Sequence, residues 1–150
     1  MLNYSIYEDG NGGDLWIKNN RIQYTRALYV ACYLRMFGGN VAKSTTSQLP
    51  DGYIKSWWGN DINNTTEWVN SDTERLLLGM TITPRNTILL EEAVKKDLKS
   101  LEKYGKISVQ ILLPSLNKVA IRITIEQTKK DTFDMVWDNT KNEIIENYFI

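Results

Sequence analysis

The sequence predicts an α+β domain, with helices packed on one face of a small antiparallel sheet. Three observations lead there. Residues 88–104 carry an apolar stripe at helical spacing, Leu90, Val94, Leu98 and Leu101. Residues 106–113 and 118–126 alternate apolar and polar residues around a Pro114–Asn117 turn, and residues 132–137 add a third run. After an N-terminal hairpin the helices come together and a three-strand antiparallel run follows, an order that suits an α+β layout with helices on one face of the sheet. The 150 residues suffice for one core. The expected division is one domain over 1–138 and an extension over 139–150.

Taken in order, residues 3–7 and 14–18 alternate around EDGNGGD, whose Gly and Asn tolerate positive φ, so an N-terminal hairpin is expected. Asn19-Asn20 suggests a second turn. From Arg21 to Phe37 the period becomes helical, with Ala27, Val30, Ala31, Leu34 and Phe37 on one stripe and Gly38-Gly39 as the stop. Cys32 falls inside this helix as a small buried hydrophobe. Residues 40–50 are polar and end in Pro50, which suits a loop.

Residues 52–75 then hold three of the five Trp residues, Trp57, Trp58 and Trp68, in an otherwise polar stretch. A polar segment builds no core of its own, so these rings must pack on the rest of the domain or on another protein. Ser71 or Asp72 can cap a short helix over 72–79. Thr81–Arg85 is a connector, since Pro84 disfavours helix at Thr83. Asn86 or Thr87 can cap the long helix, Glu91 and Lys95 form an i,i+4 pair, and Gly105 ends it. In the strands, Ile107, Val109 and Ile111 share one face, as do Val119, Ile121, Ile123 and Ile125. The tail opens polar and ends apolar (Tyr148, Phe149, Ile150), which suits a partner-docking arm or a segment that folds back.

Eighteen basic and eighteen acidic residues give a net charge of zero, which argues against a nucleic-acid or membrane-surface partner. Arg21, Tyr24, Arg26, Tyr29, Tyr33 and Arg35 interleave basic and aromatic residues but fan around several helix faces. No signal peptide or membrane span is visible, so a protein made or assembled in the cytoplasm is expected. One Cys allows no internal disulfide, and zero His excludes Cys/His zinc sites and His-dependent triads within the chain. No phosphate-cradling Gly motif or nucleophile elbow occurs, so no cofactor is expected. Paired carboxylates need no His, and Asp61 with Glu67 or Asp72 with Glu74 lie near the Trp residues. None of these has a hydrophobic sequence context that would raise its pKa.

The order of segments resembles the small baseplate protein of Mu-like contractile-tail phages. That family carries a Gly-x-x-x-x-Trp-Trp-Gly-Asp-like segment, a helix start with Arg-Leu, a long helix ending in Gly, a β-hairpin and a Val-Trp-Asp-like close. The matching positions are Gly52, Trp57, Trp58, Gly59, Arg75, Leu76, Leu78, Phe133, Val136, Trp137 and Asp138, with Gly12–Ile17 at the opening. Asn60 stands where the family has Asp, and Glu74 and Leu77 replace Ser and Trp. The resemblance implies a non-enzymatic wedge component that rings the central hub as a hexamer and starts sheath assembly by strand pairing. Its implied partners are other wedge proteins, hub or spike proteins and the tail sheath protein, in a virion tail assembled in the host cytoplasm. It makes Trp57, Trp58, Gly59, Trp68, Arg75, Phe133, Val136, Trp137, Tyr148, Phe149 and Ile150 the candidate interface or anchor residues. Residues 132–150 are the candidate pairing segment. Some relatives are labelled lysozyme-like, an activity that does not carry over to a chain without His or a convincing acid pair.

Overall fold

A computed structural model describes residues 2–4, 6–8, 13–15, 17–39, 60 and 69–149. Its elements run β1 (Leu2–Tyr4), β2 (Ile6–Glu8), β3 (Gly13–Leu15), β4 (Ile17–Lys18), β5 (Arg21–Ile22), β6 (Tyr24–Arg26), α1 (Ala27–Phe37), α2 (Asp72–Gly79) and α3 (Pro84–Leu98). A 3-10 segment (Lys99–Tyr104) leads to β7 (Lys106–Ser115), β8 (Lys118–Glu126), β9 (Lys130–Asp138) and β10 (Glu143–Phe149). The architecture is α+β, as the sequence predicts.

The main sheet is antiparallel in the order β10-β9-β8-β7. Alternation decides its faces: Val119, Ile121, Ile123 and Ile125 of β8 point with Phe133, Met135 and Trp137 of β9 into the core. Cross-strand pairs Val119↔Trp137, Ile121↔Met135 and Ile123↔Phe133 set the register, since a one-residue slip would turn every one of them outward. On the other face Arg122 grips Asp134 through Nε at 2.8 Å and an Nη at 2.6 Å. Asn117, at φ 62°, closes the two-residue turn between β7 and β8.

The tail does not extend away from the domain. Residues 143–149 pair with β9, Ile144 is buried in the core, and β10 becomes an edge strand. Asn142, at φ 57°, and the Asp138 carboxylate, which accepts from the Thr140 and Lys141 amides at 2.8 and 3.2 Å, form the turn.

The helices cover the core face. Tyr29 meets Phe133 edge-on at 5.8 Å and Phe37 stacks on Trp137 at 5.8 Å. Eight helical residues rise about 12 Å and four strand residues about 13 Å, so α1 runs along β9 in the same direction. The α3 helix packs on β7 and on both other helices.

Several boundaries differ from the sequence expectation. Residues 21–26 are β5 and β6 rather than the start of α1. The most buried residues of α1 are Tyr29, Cys32, Tyr33 and Met36, while Ala31 and Leu34 are only half-buried, because α1 touches both β9 and the other helices. Pro84 opens α3 with Thr83 as its cap, 3.2 Å from the Asn86 amide. Pro has no N–H to lose at the first position, so the residue that stops helix before it starts helix after it. The last turn tightens into the 3-10 segment. Gly105 is extended, at φ 163°, and glycine is needed there because a Cβ would lie 2.6 Å from the Glu126 carbonyl. The Asn19-Asn20 turn is present with both φ positive, between β4 and β5, and β2 pairs with β3. The EDGNGGD turn itself lies largely outside the described residues, as does the 40–50 loop.

Candidate functional site

Gly39 and Val69–Ser71 flank the Trp-bearing stretch in the sequence, and the structure ties those points together. The Ser71 amide donates to the Gly39 carbonyl at 2.7 Å, and the Gly39 amide donates to Glu74 Oε2 at 3.0 Å. Gly39 takes φ 90°, a left-handed conformation that favours glycine. Beside it, a Cβ on Gly38 would lie 2.4 Å from the Leu34 carbonyl and 2.3 Å from Val69 Cγ1. The last turn of α1 therefore sits directly against the returning strand of chain.

Asn60 makes a second tie. Its amide donates to the Val69 carbonyl and accepts from the Val69 N–H, both at 2.9 Å. A side-chain amide thus imitates one rung of a β-ladder, and Asn60 is only 4% exposed. One side chain thereby satisfies both the N–H and the carbonyl of Val69.

A carboxylate from another helix completes the neck. Asp97 of α3 accepts from the Asp72 amide at 3.1 Å, the Thr73 amide at 2.8 Å and the Thr73 hydroxyl at 2.6 Å. It caps the N-terminus of α2 from outside that helix, where the dipole favours negative charge. Burial pushes the Asp97 carboxyl above its ordinary range, against the opposing pull of the Thr73 hydroxyl and the two amides. Ser71 supplies the local cap: its hydroxyl accepts from the Glu74 amide at 3.1 Å and donates to the Met36 carbonyl of α1. Asp72 pairs with Lys96 of α3. Three helices are joined at one point by groups that are mostly shielded from water.

This arrangement holds chain in place; its groups do not converge on an open reaction centre. Of the carboxylate pair Asp72 and Glu74, one is bound to Lys96 and the other is buried on the Gly39 amide. Asp61 and Glu67 lie outside the described residues. Cys32 is fully buried, and burial pushes its thiol up to about 12. Tyr29 and Tyr33 are buried too, so they offer no stacking surface to a nucleobase. Among the described residues there is no cluster of three His, Cys, Asp or Glu that could hold a metal, and no helix long and apolar enough to cross a membrane.

The predicted site residues separate into three groups. Trp57, Trp58, Gly59, Trp68 and Ile150 lie outside the described residues. Phe133 and Trp137 are buried in the chain's own core, and Val136 is buried on the opposite face of β9; they are anchors of the fold rather than an exposed surface. Arg75 is half-buried on α2, and Tyr148 and Phe149 lie on β10 opposite Asp134 and Phe133.

Sequence reasoning missed Asn60, Asp97 and the tertiary role of Glu74. Signals existed for two of them. Asp97 lies seven residues after Leu90 and three after Val94, an acid on the core-facing stripe. Ser71-x-x-Glu74 has capping-box spacing, and the Glu74 carboxylate reaches across to the Gly39 amide.

Comparison with protein-family models and with curated proteins finds no match.

Proposed function

We propose that this chain is a non-enzymatic structural component of a contractile-tail baseplate. It rings the central hub, contacts other wedge proteins and hub or spike proteins, and starts sheath assembly by strand pairing. The observation that carries the reading is the neck. The Trp57-Trp58-Gly59 segment, which resembles the family's most specific motif, falls in the sequence between Gly39 and Val69, and the described residues around it, Gly39, Asn60, Val69 and Ser71, are tied to one another. Such ties suit a segment that must be presented in one fixed place. The acids at the neck are engaged in holding structure, which favours a scaffold over a glycosidase.

Strand pairing needs an open sheet edge. β9 has neighbours on both sides, so the outer edges of β10 and β7 are where the main sheet would accept another strand. The test is deletion of the coding sequence from the genome that makes the particle, followed by electron microscopy. Expected are tail tubes without sheath, or no tails, rescued by expression in trans. Full-length sheathed tails in the deletion strain would overturn the reading.

A further inference from the structure

The two outer strands of the main sheet are built differently. β10 carries Glu143 and Glu146, and its register with β9 shifts between Ile144 and Glu146. Charge and a bulge are devices that keep a sheet edge from pairing further. β7 stands at the other end of the strand order, and its register with β8 runs unbroken from Lys106 to Leu112. From Ile107 to Leu113 it carries no charge, no Gly and no Pro. Such a run of strand-forming residues on a sheet edge is the composition that pairs between chains. Lys106 closes the run at one end and Pro114, which has no N–H to give a ladder, at the other. Ser108 and Gln110 are exposed, and Leu112 and Leu113 keep 39% and 42% of their surface in water.

We propose that two copies of this chain associate through β7, antiparallel, about a two-fold axis at Gln110. A two-fold contact needs a surface that is its own complement, and this run is one. In that register Ile107 faces Leu113 of the other copy, Ser108 faces Leu112, Val109 faces Ile111, and Gln110 faces its own counterpart. Opposed residues of an antiparallel pair share a face of the sheet. Val109 is buried and Ile107 and Ile111 pack against the core, so the core face of the seam is apolar throughout. On the other face the two Gln110 amides can donate to each other. Lys106 falls opposite Pro114, so no like charges meet. Sliding by two residues sets Lys106 against Leu112 in one direction, or Ser108 against Pro114 in the other. The pairing joins two four-stranded sheets and leaves β10 as the outer strand of each copy. It concerns this chain alone and does not rest on the baseplate reading.

The test is analytical ultracentrifugation of the full chain over a concentration series. A seam of one strand pair is a small interface, so a monomer–dimer equilibrium with a Kd of about 10–100 μM is expected. Gln110→Glu sets two carboxylates against each other at the axis and should weaken the dimer about tenfold or more. Within its own chain residue 110 lies opposite Arg122, so the new carboxylate leaves the fold supported. Gln110→Lys should weaken the dimer as well, and an equal mixture of the two variants should restore it to within about threefold of wild type. Glu146→Lys on β10 should leave the equilibrium unchanged. A wild-type chain that stays monomeric at about 500 μM, well above that Kd, would overturn the proposal, as would an assembly that grows past the dimer. A dimer indifferent to Gln110→Glu, a mixture that does not re-form it, or an equal loss from Glu146→Lys would overturn the β7 seam and its register.

Discussion

Replacing Asp97 by Ala tests whether the neck is what joins the three helices. Thr73 is 0% exposed, so water cannot replace the carboxylate at its amide or its hydroxyl. The Asp72 amide, 3.1 Å away, loses the same acceptor. A buried donor left without a partner costs about 1–3 kcal/mol. Against these losses stands one gain: the variant no longer buries an ionised group, the cause that pushes the Asp97 carboxyl upward. The expected net loss is about 3 kcal/mol, from the two Thr73 donors and the Asp72 amide less that relief. Urea unfolding followed by Trp fluorescence gives the measure. With a slope of about 2 kcal/mol per molar for a chain of this size, the midpoint should fall by about 1.5 M. Asp97→Asn keeps one carbonyl acceptor and should fall between. A midpoint shift in the Ala variant below about 0.3 M, at unchanged slope, would refute the assignment of Asp97 as the remote cap of α2.

Asn60→Ala removes both bonds to Val69 and should cost about 1–3 kcal/mol, with faster proteolytic cutting between residues 40 and 68 as the local readout. Unchanged cleavage would mean the neck is held elsewhere. Asp138 has its pKa lowered, first by the Thr140 amide and also by the Lys141 amide. A folded value below the unfolded one, about 3.9, gives stability that is present above the unfolded value and lost as pH falls through the folded one. The stability gap between wild type and Asp138→Ala should therefore be open at pH 7 and shrink as pH falls below the unfolded value of about 3.9, as urea melts on either side of it would show. Cys32, with burial pushing its thiol up to about 12, should stay unreactive to a disulfide reagent at pH 8 in the native chain and react fully on unfolding. Rapid native labelling would mean that α1 opens from the sheet.

The sequence by itself determined what depends on local period and turn chemistry. Alternation in 106–113 and 118–126 assigns each isoleucine to a face, and that assignment needs only the pleat. The 3.6-residue stripe at Leu90, Val94, Leu98 and Leu101 is buried as expected, because a helix that long must hide its apolar side. The paired asparagines at 19 and 20 specify their turn through their tolerance of positive φ.

Only the tertiary structure decided where the polar groups go. Glu74 carries capping-box spacing and its carboxylate accepts from the Gly39 amide, 35 residues away, while the Ser71 amide that a capping box would serve donates to the Gly39 carbonyl. Asp97 on an apolar stripe looks like an interruption until α2 arrives with its unpaired amides. The buried face of α1 follows from having neighbours on several sides, which no single-helix period can express. The tail's fate followed the same logic. Its apolar end suits either an arm or a strand, and the open edge of β9 settled residues 143–149 as the fourth strand by satisfying their backbone within the chain.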